Sequence, residues 1–323
     1  MRAKVLVTHP VIEGGLSVLQ EHYDVEVASG LDSAQLRRAI VGVDALIPLL
    51  TVQVDESALE RADRLRVIAN HAVGYDNIDL EAARRRGIWV TNTPGVLTEA
   101  TADLTWAALL CLLRRVVEGD AMVRAGRFQG WDPTLLMGVD LLHKTLGIVG
   151  LGQIGRAVAR RAAGFGMRVV YTDPACPGDV DLGLVRCECL PLEQLLAQAD
   201  VVTLHAPLDA RTHHLIDARR LSLMRPDAYL VNTARGPLVD EAALVERLRT
   251  GGLAGAALDV YEREPVLAPG LAQLENVVLL PHVGSATRET RMAMTRLAAD
   301  NVHAVLQGAE PPTPVVTGRR GKN

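Results

Sequence analysis

Gly150-Leu151-Gly152-Gln153-Ile154-Gly155 follows the apolar run Leu146-Gly147-Ile148-Val149 and opens a helical pattern from Arg156 to Ala163. A G-x-G-x-x-G run says little alone, but between a strand and a helix it reads as a dinucleotide-binding turn. Gly150 permits the tight turn, Gly152 lets the backbone approach a pyrophosphate, and Gly155 lets helix and strand pack closely. The helix N-terminus adds unpaired N–H groups and a partial positive charge. The next strand ends in Tyr171-Thr172-Asp173-Pro174, which puts an acid about twenty residues beyond the motif. A carboxylate there accepts from the adenosine ribose hydroxyls and repels a 2′-phosphate. No arginine immediately follows Asp173 to neutralise it. The expected cofactor is NAD(H).

The motif belongs to the second of two strand–helix series. Downstream of it, Val169-Val170-Tyr171, Val201-Val202-Thr203-Leu204, Tyr229-Leu230-Val231, Ala256-Ala257-Leu258 and Val277-Val278-Leu279-Leu280 are near-continuous apolar runs. Parallel strands covered on both faces read this way. Upstream, Val5 to Thr8, Val25 to Val27, Ala45 to Ile47, Arg66 to Ala69 and Ile88 to Val90 read as strands. Helical patterns at 14–21, 33–40 and 80–86 lie between them. A long helical pattern runs from Thr98, its expected N-cap, to Val117, and a loop-like stretch from Gly126 to His143 separates the two series. A last helix from Thr287 to Leu306 leads to the polar tail Gly318–Asn323, which is expected to be disordered. The fold class is α/β, with two doubly wound parallel-sheet domains.

Composition narrows the function. At 323 residues the chain is long for one core, which also favours two domains. A net charge of −4 offers no basic field, so no nucleic acid partner is expected. No apolar run approaches the roughly 18 to 20 residues that span a bilayer, so no membrane association is expected. Met1 to Lys4 leads straight into Val5-Leu6-Val7, without a secretory apolar region, and a cytoplasmic location follows. Cys111, Cys176, Cys187 and Cys189 match no zinc-ligand spacing, so no metal is expected, and reduced thiols are the better reading. Lysine occurs only at Lys4, Lys144 and Lys322, which leaves Schiff-base chemistry almost no candidate.

Three polar residues stand just past strand ends in the second series: Arg235, Glu264 and His282. One such residue alone reads as an exposed loop charge. Three at successive strand exits, where doubly wound sheets bind their ligands, point to a site.

The runs around them are Asn232-Thr233-Ala234-Arg235-Gly236, Leu258-Asp259-Val260-Tyr261-Glu262-Arg263-Glu264-Pro265 and Pro281-His282-Val283-Gly284-Ser285. With the glycine motif, Ala69-Asn70-His71-Ala72-Val73-Gly74-Tyr75-Asp76-Asn77-Ile78-Asp79 and Val90-Thr91-Asn92-Thr93-Pro94, they closely resemble the D-isomer-specific 2-hydroxyacid dehydrogenase family. Within it the chain looks most like the glyoxylate/hydroxypyruvate reductases. The resemblance covers nearly the whole chain. It implies hydride transfer between nicotinamide and C2 of a small 2-keto or 2-hydroxy acid. His282 would be the general acid–base, Glu264 would orient it and favour its protonated form, and Arg235 would bind the substrate carboxylate. Backbone N–H groups of Val73 and Gly74 would take the carboxylate from the other domain, with Leu50 and Ser285 completing the substrate site. Leu151, Gln153 and Ile154 would join the motif glycines and Asp173 in holding the cofactor. So would Thr101, His205, Ala206, Pro207, Thr212, Thr233, Ala234 and Asp259, the last accepting from the nicotinamide carboxamide.

The resemblance further implies a flavodoxin-like, discontinuous substrate domain, 1–97 and 290–323, around a Rossmann dinucleotide domain, 98–289. The helices near 98–117 and 287–306 would cross between them as hinges. A homodimer is implied too, built largely by the second domain. Trp131 is either a buried indole or interface anchor, or a residue reaching the partner's active site. Two alternatives remain. A phosphoglycerate dehydrogenase would be expected to carry arginine near Leu49-Leu50-Thr51, where none stands, and a regulatory extension. An NAD-sensing, corepressor-like binding protein could keep the same three polar residues, but would be expected to carry partner-recruiting extensions.

Overall fold

The computed structural model describes residues 2–318. The disorder expected of the polar tail falls mostly on residues 319–323 and so lies outside the described residues. The chain divides into two compact units, Met1–Leu97 with Ser285–Asn323, and Thr98–Gly284. The return to the first unit thus falls at Ser285, where the sequence suggested 290.

The first unit begins β1 (Lys4–Val7), α1 (Ser17–His22), β2 (Asp24–Val27), α2 (Ser33–Ala39), β3 (Ala45–Ile47), α3 (Glu56–Arg61), β4 (Val67–Ala69), α4 (Leu80–Arg86) and β5 (Trp89–Thr91). The second unit follows with α5 (Thr98–Leu113), α6 (Val116–Arg124), β6 (Thr145–Val149), α7 (Gln153–Ala162), β7 (Arg168–Thr172), β8 (Val180–Asp181) and β9 (Arg186–Cys189). It continues with α8 (Leu192–Gln198), β10 (Val201–Leu204), α9 (Ala218–Leu223), β11 (Tyr229–Asn232), α10 (Glu241–Arg249), β12 (Gly255–Leu258) and β13 (Val277–Leu279). The chain ends in the first unit with α11 (Arg288–Leu306) and β14 (Pro314–Val316).

Local chemistry starts the helices. Asp32 and Gln35 form a capping box on α2, and Asp55, Asp79, Asp217 and Asp240 each accept from a backbone N–H in the first turn of α3, α4, α9 and α10. Each such cap is worth about 1 kcal/mol. The alternation of side chains along the strands then sorts them to two faces. In β6, Leu146 and Ile148 enter a core built with α5 and α7, while Val149 joins Leu195, Leu196 and Leu244 on the other side. In β1, Leu6 packs towards α2 and α3, whereas Val5 and Val7 face Ala298, Ala299 and Val302 of α11.

In the first unit the sheet order is β14-β5-β4-β3-β1-β2, parallel apart from β14. In the second it is β13-β12-β11-β10-β6-β7-β9-β8, parallel apart from β8. Both are doubly wound. Their order reverses between β1 and β3 and between β6 and β10, and ligands of such sheets bind at these switch points.

Four expectations need correction. Arg186–Cys189 is a strand, although its polar alternation lacks the apolar run of its neighbours; it lies one place from the sheet edge, beyond β7. The helix from Thr98 stops at Leu113, because Leu113 O accepts from the Val139 N–H and Arg115 turns to φ 51 before α6 begins. Cys176 and Cys189 are joined as a disulfide rather than free, since the loop after β7 returns Cys176 to the end of β9, with Cα atoms 6.6 Å apart. Trp131 is 85% exposed, which removes only its reading as a buried indole; the buried indoles are Trp89 and Trp106, the latter stacked on Phe165. Among the described residues no helix is long and apolar enough to cross a membrane.

Candidate active site

The glycine turn sits at the second unit's switch point. Gly150 has φ 93, and a β-carbon on Gly155 would collide with the Gly150 carbonyl, so the turn closes only with glycine at both positions. A β-carbon on Gly152 would meet nothing within 4 Å, and this residue caps α7 without any side chain covering the helix end. The N-terminus of α7 therefore offers bare N–H donors beside open space, which suits a pyrophosphate. Asp173 is tied to this turn, accepting from Leu151 N–H at 3.0 Å through one oxygen and from Ala175 N–H at 2.9 Å through the other. His205, at the exit of β10, packs its backbone against Gly150. Its imidazole lies 3.0 Å from Thr203 Oγ1, and burial pushes it down to about 3, so it is neutral. Thr212 is spent within its own loop, donating to Pro207 O at 2.7 Å and accepting from Asp209 N–H.

Arg235 follows β11 in a turn shaped by Asn232, which donates to Arg235 O and accepts from Ala234 N–H. A β-carbon on Gly236 would collide with the Tyr261 carbonyl; glycine there lets the arginine turn approach the segment leading to Glu264. Thr233 shares a 2.8 Å hydrogen bond with Thr105 of α5.

Glu264 and His282 leave β12 and β13, and His282 Nδ1 lies 2.8 Å from Glu264 Oε2. Burial would raise the Glu264 carboxyl, but the hydrogen bond and charge of His282, the Tyr261 N–H and the Arg235 charge outweigh it and hold it below the ordinary value. Tyr261 ties the two segments, its N–H donating to Glu264 Oε1 and its hydroxyl to Leu280 O at 2.8 Å. Its phenol is pushed up to about 12, chiefly by burial. His282 has φ 55, a left-handed conformation uncommon for a residue with a β-carbon. The loop holds that shape because buried Asp259 accepts from both the Val283 and the Gly284 N–H, each at 2.8 Å. Thr101 of α5 lies beside Gly284. An imidazole oriented by a carboxylate, with a fixed guanidinium near, can exchange a proton with an oxygen and bind an oxyanion.

The first unit has its own feature at strand exits. Three consecutive carbonyls of the turn after β4 are taken: Ala72 O by Thr93 N–H at 2.9 Å, Val73 O by Asn92 Nδ2 at 2.8 Å and Gly74 O by Asn70 Nδ2 at 2.6 Å. Among the described residues nothing accepts from the N–H of Val73 or Gly74. Leu49 N–H donates to Thr8 Oγ1, and half-buried Leu50 follows it. Behind these loops His9 Nε2 lies 2.9 Å from His71 Nδ1, and His71 Nε2 lies 3.2 Å from Thr295 Oγ1. Burial first, then the Arg291 charge, pushes His9 down to about 4; burial, His9 and Arg291 push His71 to about 3.

The structure thus gathers Arg235, Glu264, His282, Asp259 and Thr101 in the second unit, with the glycine turn, Asp173 and His205 at its switch point. Val73, Gly74, Leu50 and Ser285 belong to the first. Nothing in the pattern marked Asn232, Tyr261, Asn70, Asn92 or the His9–His71 pair for a function of its own. Two signals were available: each stands within four residues of a strand's carboxyl end, and all but His9 lie in the runs that carry the resemblance.

Residues 106–284 match the family model described as D-isomer specific 2-hydroxyacid dehydrogenase, NAD binding domain. The chain is 47% identical over 320 residues to a glyoxylate reductase of Pyrococcus furiosus, covering 97% of this chain and 95% of that one. A solved structure from Thermus thermophilus superposes with a TM-score of 0.89 at 51% identity, over 97% of this chain and 100% of that one. An NADPH-dependent glyoxylate/hydroxypyruvate reductase from Sinorhizobium meliloti, in complex with NADP and malonate, gives 0.91 at 35% identity over 100% of both chains.

Proposed function

The chain belongs to the D-isomer-specific 2-hydroxyacid dehydrogenases, oxidoreductases with an NAD-binding domain, and from that premise we propose that it reduces glyoxylate or hydroxypyruvate with NADH to the D-2-hydroxy acid, and runs the reverse. The observation that carries this reading is the 2.8 Å His282–Glu264 pair beside Arg235. The bound nicotinamide supplies or takes up the hydride. His282 gives a proton to the keto oxygen in reduction and recovers it in oxidation, and Glu264 holds the imidazole in place. Arg235 binds the carboxylate and polarises the carbonyl, a task for a permanently charged fork. In the first unit, the N–H groups of Val73 and Gly74, without an acceptor among the described residues, suit an anionic oxygen.

The bare N-terminus of α7 and the Asp173 carboxylate suit the pyrophosphate and the adenosine ribose of NAD(H). Leu49, Leu50 and Thr51 favour a small, uncharged substituent at C3. An unpaired phosphate dianion there would cost several kcal/mol. The protein is read as a homodimer in the cytoplasm.

The test is a panel of 2-keto acids assayed with NADH and NADPH. Glyoxylate and hydroxypyruvate should exceed 3-phosphohydroxypyruvate in kcat/KM by at least about tenfold, about 1.4 kcal/mol of transition-state binding. A phosphorylated acid that wins replaces this reading with the phosphoglycerate one. No turnover of any acid, with NADH still bound, turns the protein into a nicotinamide-sensing binder.

A further inference from the structure

Among the described residues the N–H groups of Val73 and Gly74 have no partner, while the carbonyl that precedes each of them is bonded and so can aim it. The trans peptide plane sets each N–H opposite the preceding carbonyl. Thr93 N–H on Ala72 O therefore directs the Val73 N–H outwards, and Asn92 Nδ2 on Val73 O does the same for the Gly74 N–H. Asn70 Nδ2 on Gly74 O closes the turn behind them. Successive backbone N–H groups held on one side form a concavity that binds anionic oxygen.

We infer that Asn92, seconded by Asn70, is a positioning residue for the substrate carboxylate, acting through the Gly74 N–H. The inference rests on the proposed function and deepens it. Both residues are anchored. The main-chain carbonyl of Asn92 accepts from Thr313 Oγ1 at 2.7 Å and its N–H donates to Thr313 O at 3.4 Å, which fixes the backbone just beyond β5. Buried Asn70 exchanges amide hydrogen bonds with Asn77 at 3.1 and 3.2 Å. Asn77 in turn donates to Val52 O at 3.1 Å and Leu49 O at 3.4 Å. One ladder of side-chain amides thus braces both the Ala72–Gly74 turn and the loop that carries Leu50. Asn92 lies at the other end of the turn and can be changed without touching that ladder.

Asn92→Ala in the full-length protein is the direct experiment. It should raise KM for glyoxylate about tenfold, the worth of one hydrogen bond to a charged group, and leave kcat within about twofold. Inhibition by oxalate, a non-reducible dicarboxylate, should weaken in parallel, while NADH affinity stays as in the wild type. Asn92→Asp should be worse, because a carboxylate cannot donate to Val73 O. Unchanged KM and unchanged oxalate inhibition in a folded variant would overturn the inference. So would equal losses in kcat and NADH affinity, which mark general loosening. Should Asn92→Ala not fold, Asn70→Asp is read against the same outcomes. If the wild-type protein reduces no 2-keto acid, the functional reading falls, and oxalate binding to the two proteins then decides the role of Asn92.

Discussion

Glu264 Oε2 lies 2.8 Å from His282 Nδ1, and the Tyr261 hydroxyl fastens the same two strand exits through Leu280 O at 2.8 Å. One imidazole nitrogen is thereby committed to the protein. In the proposed mechanism the other, Nε2, carries the exchangeable proton.

His282→Ala should lower kcat by roughly 10² to 10⁴, the usual worth of a positioned acid–base group, with NADH affinity nearly unchanged. Glu264→Gln keeps the size of the carboxylate on Nδ1 but not its charge, so the imidazole loses its fixed partner and kcat should fall by roughly tenfold or more. Steady-state kinetics check both variants. Wild-type turnover by a folded His282→Ala protein removes the residue from the mechanism, and wild-type turnover by Glu264→Gln removes Glu264.

NADH should be preferred to NADPH by at least about tenfold, or roughly 1.4 kcal/mol. Both oxygens of Asp173 are fixed by backbone N–H groups, so the carboxylate cannot swing aside from a 2′-phosphate. The Sinorhizobium meliloti relative, solved with NADP, makes this a sharp comparison. Kinetics with both cofactors decide it, and equal or better use of NADPH counts against Asp173 as the selector.

A homodimer should form through the second unit. None of the residues of α6 is buried, and Trp131 and Met137 in the loop that follows are 85% and 65% exposed. Several large apolar side chains left exposed along one stretch of chain are the kind of surface that an interface covers. Light scattering at micromolar concentration should give twice the chain mass; a monomer there sinks the idea. Trp131→Glu should shift the balance towards monomer.

The first unit should lose stability in mild acid. His9 and His71 are held neutral at about 4 and about 3, whereas the unfolded chain takes up protons below about 6.5. Stability is thus complete above that value and lost as pH falls towards the folded values. The slope is about 1.4 kcal/mol per pH unit for each histidine that must charge. Thermal melts between pH 7.5 and 4.5 should show it, and His9→Gln should make the slope shallower. Melts independent of pH in both proteins would refute the assignment.

The sheet architecture was legible because buried strands are mostly apolar, as β6, β10 and β11 are apart from Thr145, Thr203 and Asn232. The glycine turn was legible because its context repeats a backbone requirement. The resemblance named Arg235, Glu264 and His282 by their runs. What pattern could not reach depends on pairs far apart in sequence. Asn92 meets Val73 across 19 residues, and His71 meets Thr295 across 224. Strand β9 escaped notice because Arg186 and Glu188 alternate with Cys187 and Cys189, leaving no apolar run to see. The break after Leu113 is set by Val139, a partner no helical periodicity reveals.

His282 occupies a backbone conformation that costs a residue with a β-carbon roughly 1 to 2 kcal/mol. Glycine sits there freely and asparagine with less strain, yet neither carries an imidazole. Selection for a hardier fold and selection for turnover therefore pull this position in opposite directions. A library sorted only for heat resistance should drift towards inactive sequences at 282. The histidine persists only where catalysis itself is under selection.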